Sequence, residues 1–205
     1  MAINWVESKV LEHVKWTKDL ASIKFENNIP KYIAGQFTKI GLDIEGEIIS
    51  RPYSLVSSPD EDFLEVIYVN VPDGKLTPKL HSLVEGDSVL VMDKPSGFFI
   101  MDEVPDGEKL WLIATGTGLG VFISLLKTTE PWKRFQEIIL VHGVRTEGEL
   151  AYQKQIEGFQ NNHPGQLKYI KTVTREKVTD TLNVRIPNAI KDGSLTALAG
   201  EISNK

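Results

Sequence analysis

A chain of 205 residues with 41% apolar content is long enough for one large domain or two small ones and can fill a sizeable core. A net charge of −5 without any dense basic run argues against nucleic acid as a partner, and the start MAINWVESKV carries neither a signal-peptide nor a transit-peptide pattern, so the cytoplasm is the expected location. No stretch approaches the roughly eighteen apolar residues of a membrane span, and the absence of cysteine removes disulfides, thiolate nucleophiles and Cys-ligated metal clusters, leaving redox chemistry to an organic cofactor or another metal site.

From Trp5 to Met101 the chain offers short runs rich in β-branched and aromatic residues, punctuated by turn signals at Ala34-Gly35, Glu45-Gly46, Pro59-Asp60, Asp73-Gly74, Glu85-Gly86 and Ser96-Gly97. That spacing predicts an antiparallel barrel. Residues 1–40 hold six lysines against four acids, either a docking aid for an acidic partner or a plain solvated surface. Leu76, Leu80 and Leu83 fall at helical spacing and predict a helix from Thr77 to Leu83. The polar, turn-forming DEVPDGEK at 102–109 marks a domain boundary. Beyond it, LWLIA (110–114), IILVH (138–142) and LKYIKTV (167–173) read as parallel strands, with a helix from GLGVFISLLKTT between the first two and another over Glu149 to Asn161 between the second and third. Strand, helix, strand, helix, strand is half of a doubly wound nucleotide-binding domain.

ATGTGLGVF, at 114–122, places glycines where the first of these strands turns into a helix. Glycine lets backbone amides approach a ligand closely. Gly116 and Gly118 fit a dinucleotide fingerprint, but Val121 stands where its third glycine belongs, so an S-adenosylmethionine loop of the methyltransferase type or a tight turn without ligand remains open. After the next two strands, HGVR supplies Arg145 and TVTRE supplies Arg175, where an NAD-preferring site would place an acid; Arg185 in NVRIP is a third candidate. Guanidinium forks match a phosphate monoester, which favours NADP(H), against the plainer alternative of surface ion pairs.

RPYSLVSSP, at 51–59, interrupts the barrel pattern with Pro52 and a run of hydroxyls. Arg51 can pair with a pyrophosphate, Tyr53 can lie against a planar ring and Ser54 can bond its polar edge, while Pro52 keeps Arg51 extended. That combination suits a flavin, and equally an edge strand ending in a serine-rich turn. PDGKLTPKL, at 72–80, puts a glycine turn before a helix start at Thr77, a second place for backbone amides to meet phosphate. His13, His81, His142 and His163 show no metal spacing and are read as structural or surface groups; no metal site and no nucleophile elbow is expected.

Together these motifs resemble a family: from about Trp5 to Leu195 the chain is similar to the bacterial ferredoxin (flavodoxin)–NADP⁺ reductases. RPYS matches the flavin motif, QFTKIGL the strand before it, VPDGKLTPKL the FAD-phosphate segment, ATGTGLGVFISLL the nicotinamide loop, and VHGVR, TVTRE and VRIP the NADP positions. The resemblance implies a fold of two domains, an FAD-binding antiparallel β-barrel over 1–101 and an NADP-binding, Rossmann-like α/β parallel sheet over 108–205. It implies FAD held by Arg51, Pro52, Tyr53, Ser54, Ile67, Lys75, Leu76, Thr77 and Thr117, and NADP(H) held by Gly116, Thr117, Gly118, Val144, Arg145, Thr174, Arg175 and Arg185. It further implies hydride exchange between nicotinamide C4 and flavin N5, with Ser54 nearest N5, and a ferredoxin or flavodoxin as partner of a monomeric enzyme. The family differs in usually having proline at the position of Val121, often an aromatic residue at that of Ile67, and a further strand, helix and aromatic-ended tail after EISNK. A C-terminally shortened nucleotide domain is therefore expected, with a flavin-binding module of impaired catalysis as the alternative to an active reductase.

Overall fold

The computed structural model describes residues 4–202. Within it the N-terminal half forms one curled antiparallel sheet from β1 (Trp5–Lys15), β2 (Leu20–Glu26), β3 (Phe37–Ile44), β4 (Glu47–Ser54), β5 (Phe63–Val69) and β6 (Ser88–Met92), in the order β4-β3-β6-β1-β2-β5. The register between β1 and β2 shifts between Val10 and Glu12, a bulge that lets β1 pair with β6 through Trp5–Lys9 and then bend to pair with β2. Alternating residues, among them Val10, Ile23, Phe25, Ile40, Val66 and Val89, fill the interior. Pro52 lies in β4, at the edge of the sheet, where a missing N–H costs no ladder bond. The sheet closes on itself at one point only among the described residues, where Leu55 bridges Val66 and the Val56 N–H reaches Glu65 O at 2.8 Å. The helix α1 (Thr77–Ser82) ends one residue before its expected limit.

In the second half β7 (Lys109–Thr115), β8 (Glu137–Val144) and β9 (Leu167–Val173) form a parallel sheet in the order β7-β8-β9, each covering the strand expected from its apolar run. A 3₁₀ turn at Gly116–Gly118 leads into α2 (Leu119–Leu126), followed by the short α3 (Glu130–Arg134). The helix expected from Glu149 begins only at Gln153, as α4 (Gln153–Asn162), because Tyr152 takes a left-handed φ of 61°. The cause is tertiary: the Tyr152 ring packs 5.1 Å from that of Trp16, and its hydroxyl donates to Glu65 at 2.8 Å. Two further short helices, α5 (Ile186–Lys191) and α6 (Ser194–Ala199), cover Ile139, Val141 and Ile170 on the other face of the sheet.

The halves share a core. β5 is buried on both faces because Leu64, Val66 and Tyr68 point into the barrel while Glu65 and Ile67 point at the α/β unit. Gly120 allows α2 to press against it, since a Cβ there would lie 2.9 Å from both Ile67 Cγ2 and Val56 Cγ2. Ser124 donates to Ser57 O at 2.6 Å and Lys127 pairs with Glu61 at 2.8 Å, fixing the same contact. Among the described residues no helix is long and apolar enough to cross a membrane.

Candidate active site

At the carboxyl edge of the parallel sheet lies a cleft of about 710 Å³, the place where open α/β sheets bind ligands. The exit of β7 supplies Thr115, Gly116 and Thr117, the exit of β8 Val144 and Arg145, and the exit of β9 Thr174, while Arg185 closes the far side. Six of the eight residues expected to hold a nicotinamide dinucleotide thus line one cavity. Gly118 and Arg175 are exposed and do not line it; Arg175 is tied at its rim through its N–H to Arg145 O at 2.8 Å. The opposite wall comes from the barrel, through Thr17 and Asp19 in the β1–β2 turn and Val69 to Pro72 after β5. The Asn70 N–H bonds Asp19 O at 2.6 Å and holds those two segments together. Thr115 and Thr172 also line the cleft and were discoverable as strand-end residues, whereas nothing local in the sequence marks Thr17 or Asp19.

The arginines separate by their partners. Arg134, remote from the cleft, is held by Glu130 and Asp106 at 3.1 and 3.0 Å. Among the described residues Arg51, Arg145, Arg175 and Arg185 have no carboxylate partner. Glu149, also in the cleft, accepts the Arg145 backbone N–H at 2.9 Å, which fixes the start of the loop and leaves the guanidinium to the cavity. Uncommitted forks beside main-chain amides of a glycine turn form a donor set for phosphate oxygens.

On the barrel side Arg51 and Tyr53 alternate with Pro52 along β4, so both project to one face. Arg51 is exposed, its guanidinium touching only its neighbour's carbonyl, Ser50 O, at 2.7 Å. Tyr53 is half-buried and meets Tyr68 edge-on at 6.4 Å; burial pushes its phenol pKa up. Tyr68 is in turn held by His13, which donates Nδ1–H to Leu83 O at 2.8 Å and accepts the Tyr68 hydroxyl on Nε2 at 2.8 Å. Ser54 is exposed at the end of β4, and Ile67 is buried under α2. A second groove, of about 510 Å³, runs between the β3–β4 hairpin and the segment after β5, lined by Ile49, Gly74 and Lys75, and it meets the first cavity at Pro72. Lys75 has no carboxylate partner among the described residues. Leu76 is buried and offers a ligand only its main chain. The Thr77 hydroxyl is committed to the main chain of Val71, accepting its N–H at 2.9 Å, which pins the glycine turn. The two adjoining cavities, the second lined by Lys75, offer room for a planar ring bearing a diphosphate, while Arg51 and Tyr53 lie on the neighbouring β4 and line neither of them.

Two family models match the chain: an oxidoreductase FAD-binding domain over residues 7–99 and an oxidoreductase NAD-binding domain over residues 112–202. The chain is 41% identical over 202 residues to the flavodoxin/ferredoxin–NADP reductase of Escherichia coli (strain K12), covering 98% of this chain and 82% of that protein. It is 38% identical over 181 residues to the ferredoxin–NADP reductase of Pseudomonas aeruginosa, covering 84% and 70%. A ferredoxin NADP⁺ reductase from Neisseria gonorrhoeae, solved with bound FAD and NADP, superposes with a TM-score of 0.90 at 27% identity, covering 97% of this chain and 81% of the other.

Proposed function

The chain belongs to the flavodoxin/ferredoxin–NADP reductase family, and from that premise we propose that it is an FAD-dependent oxidoreductase passing electrons between NADP(H) and a ferredoxin or flavodoxin. Residues 1–101 form the FAD-binding unit and residues 108–205 the NADP(H)-binding unit. Bound FAD supplies the conversion between two-electron and one-electron transfer, chemistry that no side chain of this protein provides.

The protein's part is alignment and charge. Arg51 on β4 and Lys75 in the segment after β5 hold the FAD diphosphate, with main-chain groups of Lys75, Leu76 and Thr77 beside it. Tyr53 lies along the ring, Pro52 keeps the strand extended, and Ser54 at the end of β4 offers its hydroxyl to the polar edge of the ring as the catalytic contact. Thr117 meets the ring from the glycine turn, and Ile67, packed under α2, supports that turn from the core. In the facing cleft Arg145 and Arg185 grip the 2′-phosphate, with Thr174 beside them and Arg175 at the rim, while Gly116 and Val144 shape the passage for the nicotinamide arm and Gly118, outside the cleft, continues the turn that carries Gly116.

The observation that carries this reading is the pairing pattern: among the described residues Arg145 and Arg185 in the cleft and Arg51 on β4 are uncommitted, while Arg134 elsewhere is neutralised twice over. Apoprotein supplied with FAD is expected to turn yellow and to reduce an artificial acceptor with NADPH. Replacing Arg145 or Arg185 by alanine should lower kcat/KM for NADPH about tenfold or more, because a hydrogen bond to a charged group is worth about 1.5–3 kcal/mol. The same variants should leave NADH almost unaffected. Colourless protein after FAD addition, or equal losses with both nucleotides, would refute the assignment.

A further inference from the structure

The inward positions of β8 on the face toward α2 are aliphatic, Ile138 and Leu140, until His142, which is 1% exposed. A buried imidazole is costly unless its polar atoms are used. Nε2 lies 3.1 Å from the carbonyl oxygen of Gly116, and Nδ1 lies 3.3 Å from the hydroxyl of Tyr169 on β9. A carbonyl can only accept, so the ring proton belongs on Nε2, and the bare Nδ1 accepts from Tyr169. Gly116 itself has a left-handed φ of 51°, and its carbonyl also takes the Leu119 N–H that closes the 3₁₀ turn. In a trans peptide the carbonyl of one residue and the N–H of the next point in opposite directions. With the Gly116 carbonyl turned down onto buried His142, the Thr117 N–H points up, into the cleft that Gly116 and Thr117 both line.

We propose that His142 is a positioning residue for NADP(H): the chain Tyr169–His142–Gly116 locks the Gly116–Thr117 peptide with its N–H presented to the dinucleotide. The proposal rests on the cleft being the NADP(H) site. Burial holds the imidazole pKa down to about 4, so the ring keeps a single proton through the neutral range, and the acceptor-only Gly116 carbonyl keeps that proton on Nε2. A residue that merely filled space under the loop would leave the Leu119 N–H as the sole hold on the Gly116 carbonyl, whereas a donor in this place adds a second hold from below and fixes which way the peptide faces.

Nitrogen-15 correlation spectra of the FAD-loaded protein at neutral pH, with His142 assigned by its loss in His142→Gln, are expected to show Nε2 protonated and Nδ1 bare; the opposite tautomer overturns the proposal. Calorimetric titration with NADP⁺ gives the second readout. His142→Leu should bind about tenfold more weakly, as for loss of one well-aimed hydrogen bond, whereas His142→Gln, whose amide can donate to the same carbonyl, should stay within about threefold of the parent. Tyr169→Phe, a smaller change that leaves the core filled, should weaken binding about threefold by freeing the ring to turn over. The flavin absorbance spectrum should be the same in all three. Unaltered affinity in His142→Leu and Tyr169→Phe, or a loss in His142→Gln equal to that in His142→Leu, overturns the proposal. Arg145→Ala separates the two levels: if it too leaves NADP⁺ affinity unchanged, the assignment of the cleft is what has failed.

Discussion

His142 carries no charge at neutral pH, because burial pushes its pKa down from the ordinary 6.5 to about 4 against the opposing pull of Glu149 and the Gly116 carbonyl. Between those two values the unfolded chain takes up a proton that the folded one refuses. The contribution of this group to stability is therefore complete above pH 6.5 and drains away as pH falls toward 4, by about 3 kcal/mol across the window. Urea midpoints measured at pH 7 and pH 4.5 should converge markedly in His142→Gln relative to the parent; an identical pH dependence in both would remove His142 from the acid sensitivity. The sequence placed this histidine at the end of the IILVH strand but gave no reason to assign it a task, since a single histidine says nothing of what lies above it. Arg145, Arg175 and Arg185 were legible by type and by position after strands, yet the difference between the two that line the cleft and the one at its rim is a matter of a residue's register.

Helix α2 illustrates how an element is placed by contacts rather than propensity. Its apolar run announced a buried helix, and Gly120, an unfavourable helix residue by up to about 1 kcal/mol relative to alanine, looked like part of a phosphate loop. Its use is contact: the α2 backbone rides on Val56 and Ile67, with no room for a methyl group. Gly120→Ala is accordingly expected to destabilise by about 1–3 kcal/mol, the overpacking cost exceeding the propensity gain, and to raise KM for NADPH by displacing the loop at Gly116. A denaturation midpoint equal to or above the parent's would contradict this. Strands were legible because continuous or alternating apolar runs specify them locally. The short α3, α5 and α6 were not, being held by packing onto the sheet, and α4 starts late because Tyr152 is drawn out of helical geometry toward Glu65 and Trp16.

Across the whole molecule one apolar cluster joins the two units, with Leu20, Val56, Ile67 and Met101 of the first packed among Leu119, Phe122, Leu140 and Ile156 of the second. Neither half can lose its fold without exposing the other's core, so ellipticity and flavin release should report one coincident thermal transition; two separated transitions would show the halves to be independent. The sequence by itself determined the two-part plan, the order of the strands along the chain, the glycine turn and the chemical types gathered at each strand end, because hydrophobic period and turn chemistry act over a few neighbouring residues. Tertiary structure alone decided that, among the described residues, the chain pairs with β5 only past the end of β4, through Leu55 and Val56, that Thr17 and Asp19 share the cleft with Arg145 and Arg185, and that His142 lies under Gly116. Those relations join segments far apart in the chain, and they are fixed by which buried faces fit together, a property that no local stretch contains.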